Sequence, residues 1–338
     1  MDLNVYKMKK LGDIKRYFID IVKGLHLYKS YNYSLKNGDH SERKIVTMID
    51  GCMHHGGLSD RICGIVSSFI YAQEIGMKFE LNYTYPYDLS IFLQPNLYDW
   101  SFSGISYNLK YSRPIYVSMF DQDRVKAADY YRKRIGKRPK QLHIYTNMYY
   151  FSKASFSENF SKLFKMSDLL KQAVVINLNN IGGKYVSITF RFQQLLGDFK
   201  ETGFAVITDP REKQLLIEKC LSCIEYLHSQ VHCKILVTSD SHTFLELASK
   251  RYDFVCTIPG KVVHMDFVTN KDNIDIQTHL KSFVDFFLIA NAQKIFLANI
   301  GKLYRSSFPA IASLVYCRDF FDIVEENNNF VIRSRNGI

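Results

Sequence analysis

Arg191 stands at the end of a β-rich run, Tyr185 to Phe190, and a turn-like Gly197-Asp198 pair follows it. A guanidinium is permanently charged and forked, a shape that suits a phosphate oxygen better than a bare ammonium does. An open α/β sheet gathers its ligands beyond the carboxyl ends of its strands. Arg191 therefore either meets a phosphate there or pairs with an acidic neighbour and closes the strand. Two further polar clusters have similar positions: Ser239-Asp240-Ser241 follows the apolar run Lys234 to Thr238, and Arg305-Ser306-Ser307 precedes Phe308-Pro309 and a helical stretch. Serines and an arginine at a helix start can cradle an anion on the unsatisfied backbone N–H groups. The plainer alternative is a serine cap with proline in the first turn.

A fourth cluster runs Asp50-Gly51-Cys52-Met53-His54-His55-Gly56-Gly57, with Asp60 and Arg61 just beyond. Gly56 and Gly57 allow the backbone to bend close to a ligand. His54 and His55 can move protons near neutral pH. A tight strand-to-helix turn would also explain the glycines, and the helix dipole would explain Asp60. No Gly-Lys-Ser/Thr follows, so this is not a P-loop, and it is not G-x-G-x-x-G.

The elements that must position these residues alternate strand and helix. Lys44 to Ile49 reads as a strand. Apolar residues at 58, 62, 65, 66, 69 and 70 give one helical face ending near Gly76, and Met77 to Leu81 is a second strand. That order implies a parallel α/β sheet. Residues 83 to 123 are rich in aromatics, among them Tyr83, Tyr87, Phe92, Trp100 and Tyr107, which serve either as sugar platforms or as core. The basic segment 124 to 142 is expected to be a mobile loop, and Leu142 to Tyr145 a short strand. In the second half, helices are expected over Arg211 to Gln230, His242 to Lys250 and His279 to Ala292. Strands are expected over Lys234 to Thr238, Phe254 to Ile258 and Lys294 to Ala298. Asp285, inside the apolar run Phe283 to Ile289, must be paired or capping. The expected division is a basic helical segment over 1–42, an acceptor domain over 43–175 and a donor domain over 176–338.

With 338 residues, 47% hydrophobic and 23% charged, the chain has the composition of a soluble two-domain protein. Met1 to Lys10 is not followed by an apolar signal core, so a cytoplasmic location is expected. Seven scattered cysteines suggest reduced thiols, and the Cys220/Cys223 pair inside a helix has no companion ligands. The net charge of +11 admits nucleic acid, anionic membrane or phosphorylated small molecules as partners. No nucleic-acid-binding motif is present, so nucleic acid is excluded. Tyr6 to Tyr28 mixes basic residues with Leu11, Ile14, Phe18, Ile21, Val22 and Leu25 at helical spacing. That segment is read as a helix packed by its apolar face on the domain, with peripheral contact at the inner membrane as the alternative. Asp121-Gln122-Asp123 and the pair Asp272 and Asp275 are poor metal sites, and no metal is expected.

Three stretches in this order resemble bacterial fucosyltransferases of the α-1,2/α-1,6/O-fucosyltransferase group. Gly56-Gly57-Leu58-Ser59-Asp60-Arg61 is similar to the group's G-G-L-x-N/D-R loop. Ser187 to Asp198 is similar to its strand bearing H-x-R with a later Gly-Asp. Asp285 to Ala312 is similar to its D-x-x-x-L…S-x-F-S-x-x-A ending. Thr189 replaces the histidine of H-x-R, and Pro309 replaces the second serine of S-x-F-S.

The resemblance implies a GT-B fold, α/β with two Rossmann-like domains facing across a cleft. It implies transfer of fucose from GDP-fucose, with inversion and without metal, to a glycan or lipid-linked oligosaccharide in surface polysaccharide synthesis. Arg191 would steady the leaving diphosphate, Ser306 and Ser307 would hold phosphate oxygens, Asp240 would read the nucleoside, and Ser239, Arg305, Gly56 and Gly57 would complete the donor site. The acceptor hydroxyl would lie near Gly56 and Gly57, with His55, His54 or Asp60 as its base. The two departures raise an alternative, a non-catalytic nucleotide- or glycan-binding protein that keeps the fold. A sulfo- or phosphotransferase is disfavoured by the missing P-loop.

Overall fold

The computed structural model describes residues 18–31, 42–102, 104–118, 123–136, 141–199, 204–260, 265 and 275–335. Two compact units divide the chain, Met1–Lys165 and Met166–Ile338. Asp121 and Asp272, weighed above as metal ligands, and residues 1–17 of the N-terminal basic segment lie outside the described residues.

In the first unit, β1 (Lys44–Ile49) is a β-branched and apolar run buried along its whole length. It pairs in parallel with β2 (Lys78–Tyr83) on one side and β5 (Gln141–Tyr145) on the other, and β4 (Ser112–Tyr116) pairs in parallel outside β5. The order is β2-β1-β5-β4. The chain turns from β1 to β2 in one direction and later fills the other side, so β1 and β5 flank the point where the winding reverses. α2 (Leu58–Glu74) carries the chain from β1 to β2 and buries most of its length.

Gly64 fixes how closely α2 can lie. A Cβ there would stand 2.0 Å from the main-chain oxygen of Thr146, just past β5. Alanine favours a helix by up to about 1 kcal/mol over glycine. The contact is with backbone, which cannot swing aside, so the clash outweighs that gain. Gly64→Ala is expected to cost about 3 kcal/mol, read as a lowered urea midpoint. An unchanged midpoint would mean that the Thr146 segment moves freely.

The basic stretch expected to be a loop is instead a helix, α3 (Arg124–Ile135). The Asp123 side chain caps its start by accepting from the N–H of Val125 and Lys126, and Ala127, Ala128, Tyr131 and Ile135 form its buried face. The surrounding charge concealed that face in the sequence. β3 (Leu93–Pro95) and β6 (Phe164–Met166), which follows directly on α4 (Lys153–Leu163), pair as a short two-stranded sheet. The aromatics of this region are mostly core: Tyr83, Tyr87, Phe92 and Trp100 are buried, and the Trp100 indole N–H donates to the oxygen of Leu163 at 2.8 Å.

α1, helical over residues 18–27, packs on this unit by the face opposite to the one expected. Asp20, Gly24 and Leu27 face inward, while Phe18, Val22 and Leu25 face out. The Asp20 carboxylate, fully buried, decides this orientation. It accepts from the Ser118 N–H, from the Ser118 hydroxyl at 2.6 Å and from the Tyr130 hydroxyl at 2.8 Å.

The second unit contains α5 (Asp168–Ile181), β7 (Tyr185–Phe190), α6 (Pro210–Val231), β8 (Lys234–Ser239), α7 (His242–Arg251), β9 (Val255–Cys256), α8 (Ile276–Asn291), β10 (Lys294–Asn299), α9 (Phe308–Val315), β11 (Asp319–Glu326) and β12 (Asn329–Ser334). Its sheet runs β12-β11-β10-β7-β8-β9. All neighbours are parallel except the hairpin of β11 and β12. The winding reverses between β7 and β10, which places that crevice at the switch point. Ile188, Phe190, Ile224, Val237 and Phe244 lie at the centre of its core.

Cys220 and Cys223 are buried free thiols within α6, so the C-x-x-C is packing. Asp275 caps α8. The strand expected over Phe254 to Ile258 shrinks to β9. Asp285 forms a buried ion pair with Lys281 one turn back, the ammonium lying 2.7 and 2.6 Å from the two carboxylate oxygens.

Candidate active site

Arg191 directly follows β7 at the switch point of the second unit. Its Nη1 lies 3.1 Å from Oδ2 of Asp240, the residue directly after β8. Its guanidinium lies over the Phe199 ring, 4.8 Å from the centroid. The acidic neighbour that the sequence left open is thus Asp240, and the arginine is still 19% exposed. Asp240 does more than pair. Its two oxygens accept the N–H groups of Phe192 and Gln193 at 2.8 and 2.7 Å. Gln193 holds φ at 55°, in the left-handed region that side chains rarely enter. One carboxylate therefore fixes both the turn after β7 and the arginine fork. Burial raises the Asp240 carboxyl above the usual carboxylate range, opposed by the Arg191 charge and the two N–H donors.

The loop 300–304 closes this edge, the N–H of Tyr304 donating to the oxygen of Arg191 at 2.9 Å. It delivers Ser306 and Ser307 to the start of α9. Ser307 is the N-cap residue, and the Ser306 hydroxyl accepts from the N–H of Phe308 at 3.2 Å. Arg305 turns toward β11, where Nη2 meets Asp322 Oδ2 at 2.8 Å. Ser239 accepts the N–H of Ser241 and lies 3.4 Å from Asp240. Ser241 caps α7 through the N–H of Phe244 at 3.1 Å. Asp198 of the Gly-Asp pair accepts from the Ser241 hydroxyl and from the N–H of Thr243, at 2.7 and 3.0 Å, and so ties the loop after β7 to the start of α7. Thr189, at the position of the motif histidine, shares a buried 2.8 Å bond with the hydroxyl of Thr238. The pairing of Arg191 with Phe199 and the strained Gln193 left no signal in the sequence.

In the first unit, the loop after β1 is held by its own motif. Gly56 adopts φ +78°, and a Cβ there would stand 2.8 Å from Asp60 Oδ2. Asp60 Oδ2 accepts the N–H of Gly57 at 3.2 Å and so caps α2. Arg61 is fully buried. It donates to the oxygens of Gly56 at 3.0 Å and Tyr85 at 2.6 Å and to the Tyr83 hydroxyl at 3.1 Å, which ties the loop to the end of β2. His55 is buried too, and its Nε2 accepts the N–H of Gly51 at 3.0 Å. His54 is exposed, with Nδ1 accepting from Gly56.

Sequence reasoning did not assign Asp50, which sits where β1 ends. Its Oδ2 accepts the hydroxyls of Tyr107 and Tyr145 at 2.8 and 2.9 Å, and its Oδ1 accepts the N–H of Cys52 at 3.0 Å. Tyr31 extends the chain of contacts, 3.3 Å from Tyr145 and 2.7 Å from Nδ1 of His143. Burial pushes His143 down to about 3, so its imidazole is neutral. A polar residue immediately after a buried strand was the available signal. Among the described residues no group of three or more histidines, cysteines or carboxylates could hold a metal ion.

No protein-family model and no curated protein matches the sequence. Solved structures do match. The NodZ α-1,6-fucosyltransferase soaked with GDP-fucose aligns over 87% of this chain and 100% of its own, with TM-score 0.56 and 11% identity. The fucosyltransferase NodZ from Bradyrhizobium aligns over 87% and 99%, with TM-score 0.54 and 12% identity. An Arabidopsis thaliana FUT1 variant in complex with GDP aligns over 92% and 77%, with TM-score 0.55 and 13% identity. The chain has the α/β, GT-B-type fold of these structures, with parallel sheets in both units. At such identity the likeness is one of fold.

Proposed function

We propose that the chain is a glycosyltransferase that moves fucose from GDP-fucose to a hydroxyl of a glycan or lipid-linked oligosaccharide. One observation carries the reading: Arg191, braced by Asp240, stands at the switch point of a fold shared with fucosyltransferases. In the transfer, the acceptor oxygen forms a bond to the anomeric carbon as the bond to the β-phosphate oxygen breaks, on the opposite face. The configuration inverts, and the electron pair leaves with the diphosphate. Arg191 stabilises that developing charge, helped by the hydroxyls of Ser306 and Ser307 at the start of α9. Ser239, Asp240 and Arg305 shape the same edge. Gly56 and Gly57 place the loop expected to face the acceptor, and His55 and Asp60 are its candidate bases. Both already carry structural bonds, so His55 takes the hydroxyl proton only by releasing the N–H of Gly51. The reading includes metal independence, a cytoplasmic setting with contact at the inner membrane, and a role in surface polysaccharide synthesis.

The first test is thermal stabilisation by GDP, GDP-fucose, UDP, CMP and ADP, each with and without chelator. A ligand at 100 times its dissociation constant adds about 2.7 kcal/mol, a shift of several degrees. A GDP-selective shift that survives chelator is expected, followed by fucosyl transfer in an acceptor screen. A shift with UDP that requires metal would replace the donor. GDP binding with no turnover of any GDP-sugar would favour the non-catalytic reading, which the buried Thr189–Thr238 bond in place of the motif histidine motivates.

A further inference from the structure

Surface helices ordinarily turn polar residues to water and apolar ones to the core. α1 does the reverse. Its inward face carries the buried Asp20 and Gly24 beside Leu27, while Phe18, Val22 and Leu25 point away from the unit and are 59%, 62% and 62% exposed. Their spacing of four and three residues puts them on one stripe, about 10 Å long. The helix cannot roll over to hide them. Asp20 is bonded to Ser118 and Tyr130, Leu27 is built into the core with Val46, Met48 and Tyr145, and the Lys23 ammonium donates to the Tyr116 hydroxyl at 3.2 Å. Leaving that network would strip a buried carboxylate of its donors, which holds the apolar stripe outward.

Resting on the membrane contact included in the proposed function, we infer that the outward face of α1 is the surface that docks on an anionic lipid bilayer. Charge selects this occupant. In the sequence, residues 1–17 carry Lys7, Lys9, Lys10, Lys15 and Arg16 against Asp2 and Asp13, and the whole chain carries +11. Lys29 follows the helix and is exposed, and so is Lys133 on α3, the helix that donates to Asp20 through Tyr130. Lipid phosphates meet Lys29 and Lys133, and the headgroup–acyl boundary takes the Phe18, Val22 and Leu25 side chains. A second copy of the chain would bring the same positive charge to this face and be repelled.

The full chain is tested by flotation with vesicles of phosphatidylcholine alone and with about 30% phosphatidylglycerol, at about 0.1 M and 0.5 M salt. The wild type is expected to float with the anionic vesicles and to be weakened by salt. Val22→Ser/Leu25→Ser is expected to lower binding on the order of tenfold or more, with an unchanged melting temperature. Ile176→Ser, an exposed apolar position on α5, is expected to bind as the wild type does. Absence of the wild type from the anionic vesicle fraction would overturn the inference, and so would equal binding by the double variant. A wild-type dimer in light scattering that Val22→Ser/Leu25→Ser splits would overturn it in favour of a second copy.

Discussion

Arg191→Ala is expected to lower fucosyl transfer by roughly 10²- to 10³-fold, the usual loss when one pre-positioned donor to a developing anion is removed. The fold is expected to survive. Asp240 keeps the N–H groups of Phe192 and Gln193, so the turn after β7 retains its acceptor. Arg191→Lys is expected to recover little, although it preserves charge. An ammonium lacks the planar fork that meets Asp240 on one edge and lies over the Phe199 ring. The variant also changes the titration of Asp240. Arg191 opposes the upward push of burial, so without it the carboxyl rises further. A raised carboxyl binds protons more readily folded than unfolded. The variant is therefore expected to lose stability relative to wild type as pH rises through that carboxyl's folded pKa. Initial rates with GDP-fucose, together with melting temperatures at pH 5 and pH 8, measure both effects. Wild-type turnover by Arg191→Ala would remove the arginine from the mechanism.

Much of the fold was legible because caps and apolar periodicity agreed. The β1–loop–α2–β2 unit, β7, α6, β8, α7, β10 and α9 all fall within a few residues of their expected bounds. The misses have physical causes. β4, Ser-Arg-Pro-Ile-Tyr, has no apolar run of its own and becomes a strand through pairing with β5. α3 buries only a narrow face of alanines, a tyrosine and an isoleucine among charges. α1 has a strong apolar period, and periodicity alone pointed that stripe inward. Three bonds to one carboxylate, two from Ser118 and one from Tyr130, reverse it. The candidate site shows the same limit. Strand ends and helix starts could be read locally, which singled out Arg191, Asp240 and Ser306 as candidates. Which ends are neighbours depends on the order of strands in the sheet, so the Arg191–Asp240 pair, the turn of Arg305 to Asp322 and the tyrosines around Asp50 emerged only from the topology.

Asp285 shows how a motif position can be structural, and it carries the largest expected effect on stability. It lies on α8, which packs against α5 and α9, and both it and Lys281 are nearly inaccessible to water. Burial pushes the carboxyl up, and the Lys281 ammonium is the principal opposing influence. Lys281→Met removes that partner while filling similar volume, leaving a carboxylate in an apolar helix interface. A loss of about 4 kcal/mol is expected at pH 8. The acid then has a folded pKa well above its unfolded value of about 4. Its proton is bound more tightly folded than unfolded, so the deficit is fully present above the folded pKa and shrinks as pH falls through it. The urea midpoint of Lys281→Met should therefore approach the wild-type value at pH 5. Lys281→Met/Asp285→Leu removes both charges and is expected to regain most of the loss, because two apolar side chains satisfy the same space without desolvating an ion. It is also expected to keep the GDP-induced melting shift, since the pair braces α8 rather than touching the donor. A double variant as unstable as the single would mean that the cost lies in packing, and loss of the GDP shift would mean that Asp285 takes part in donor binding.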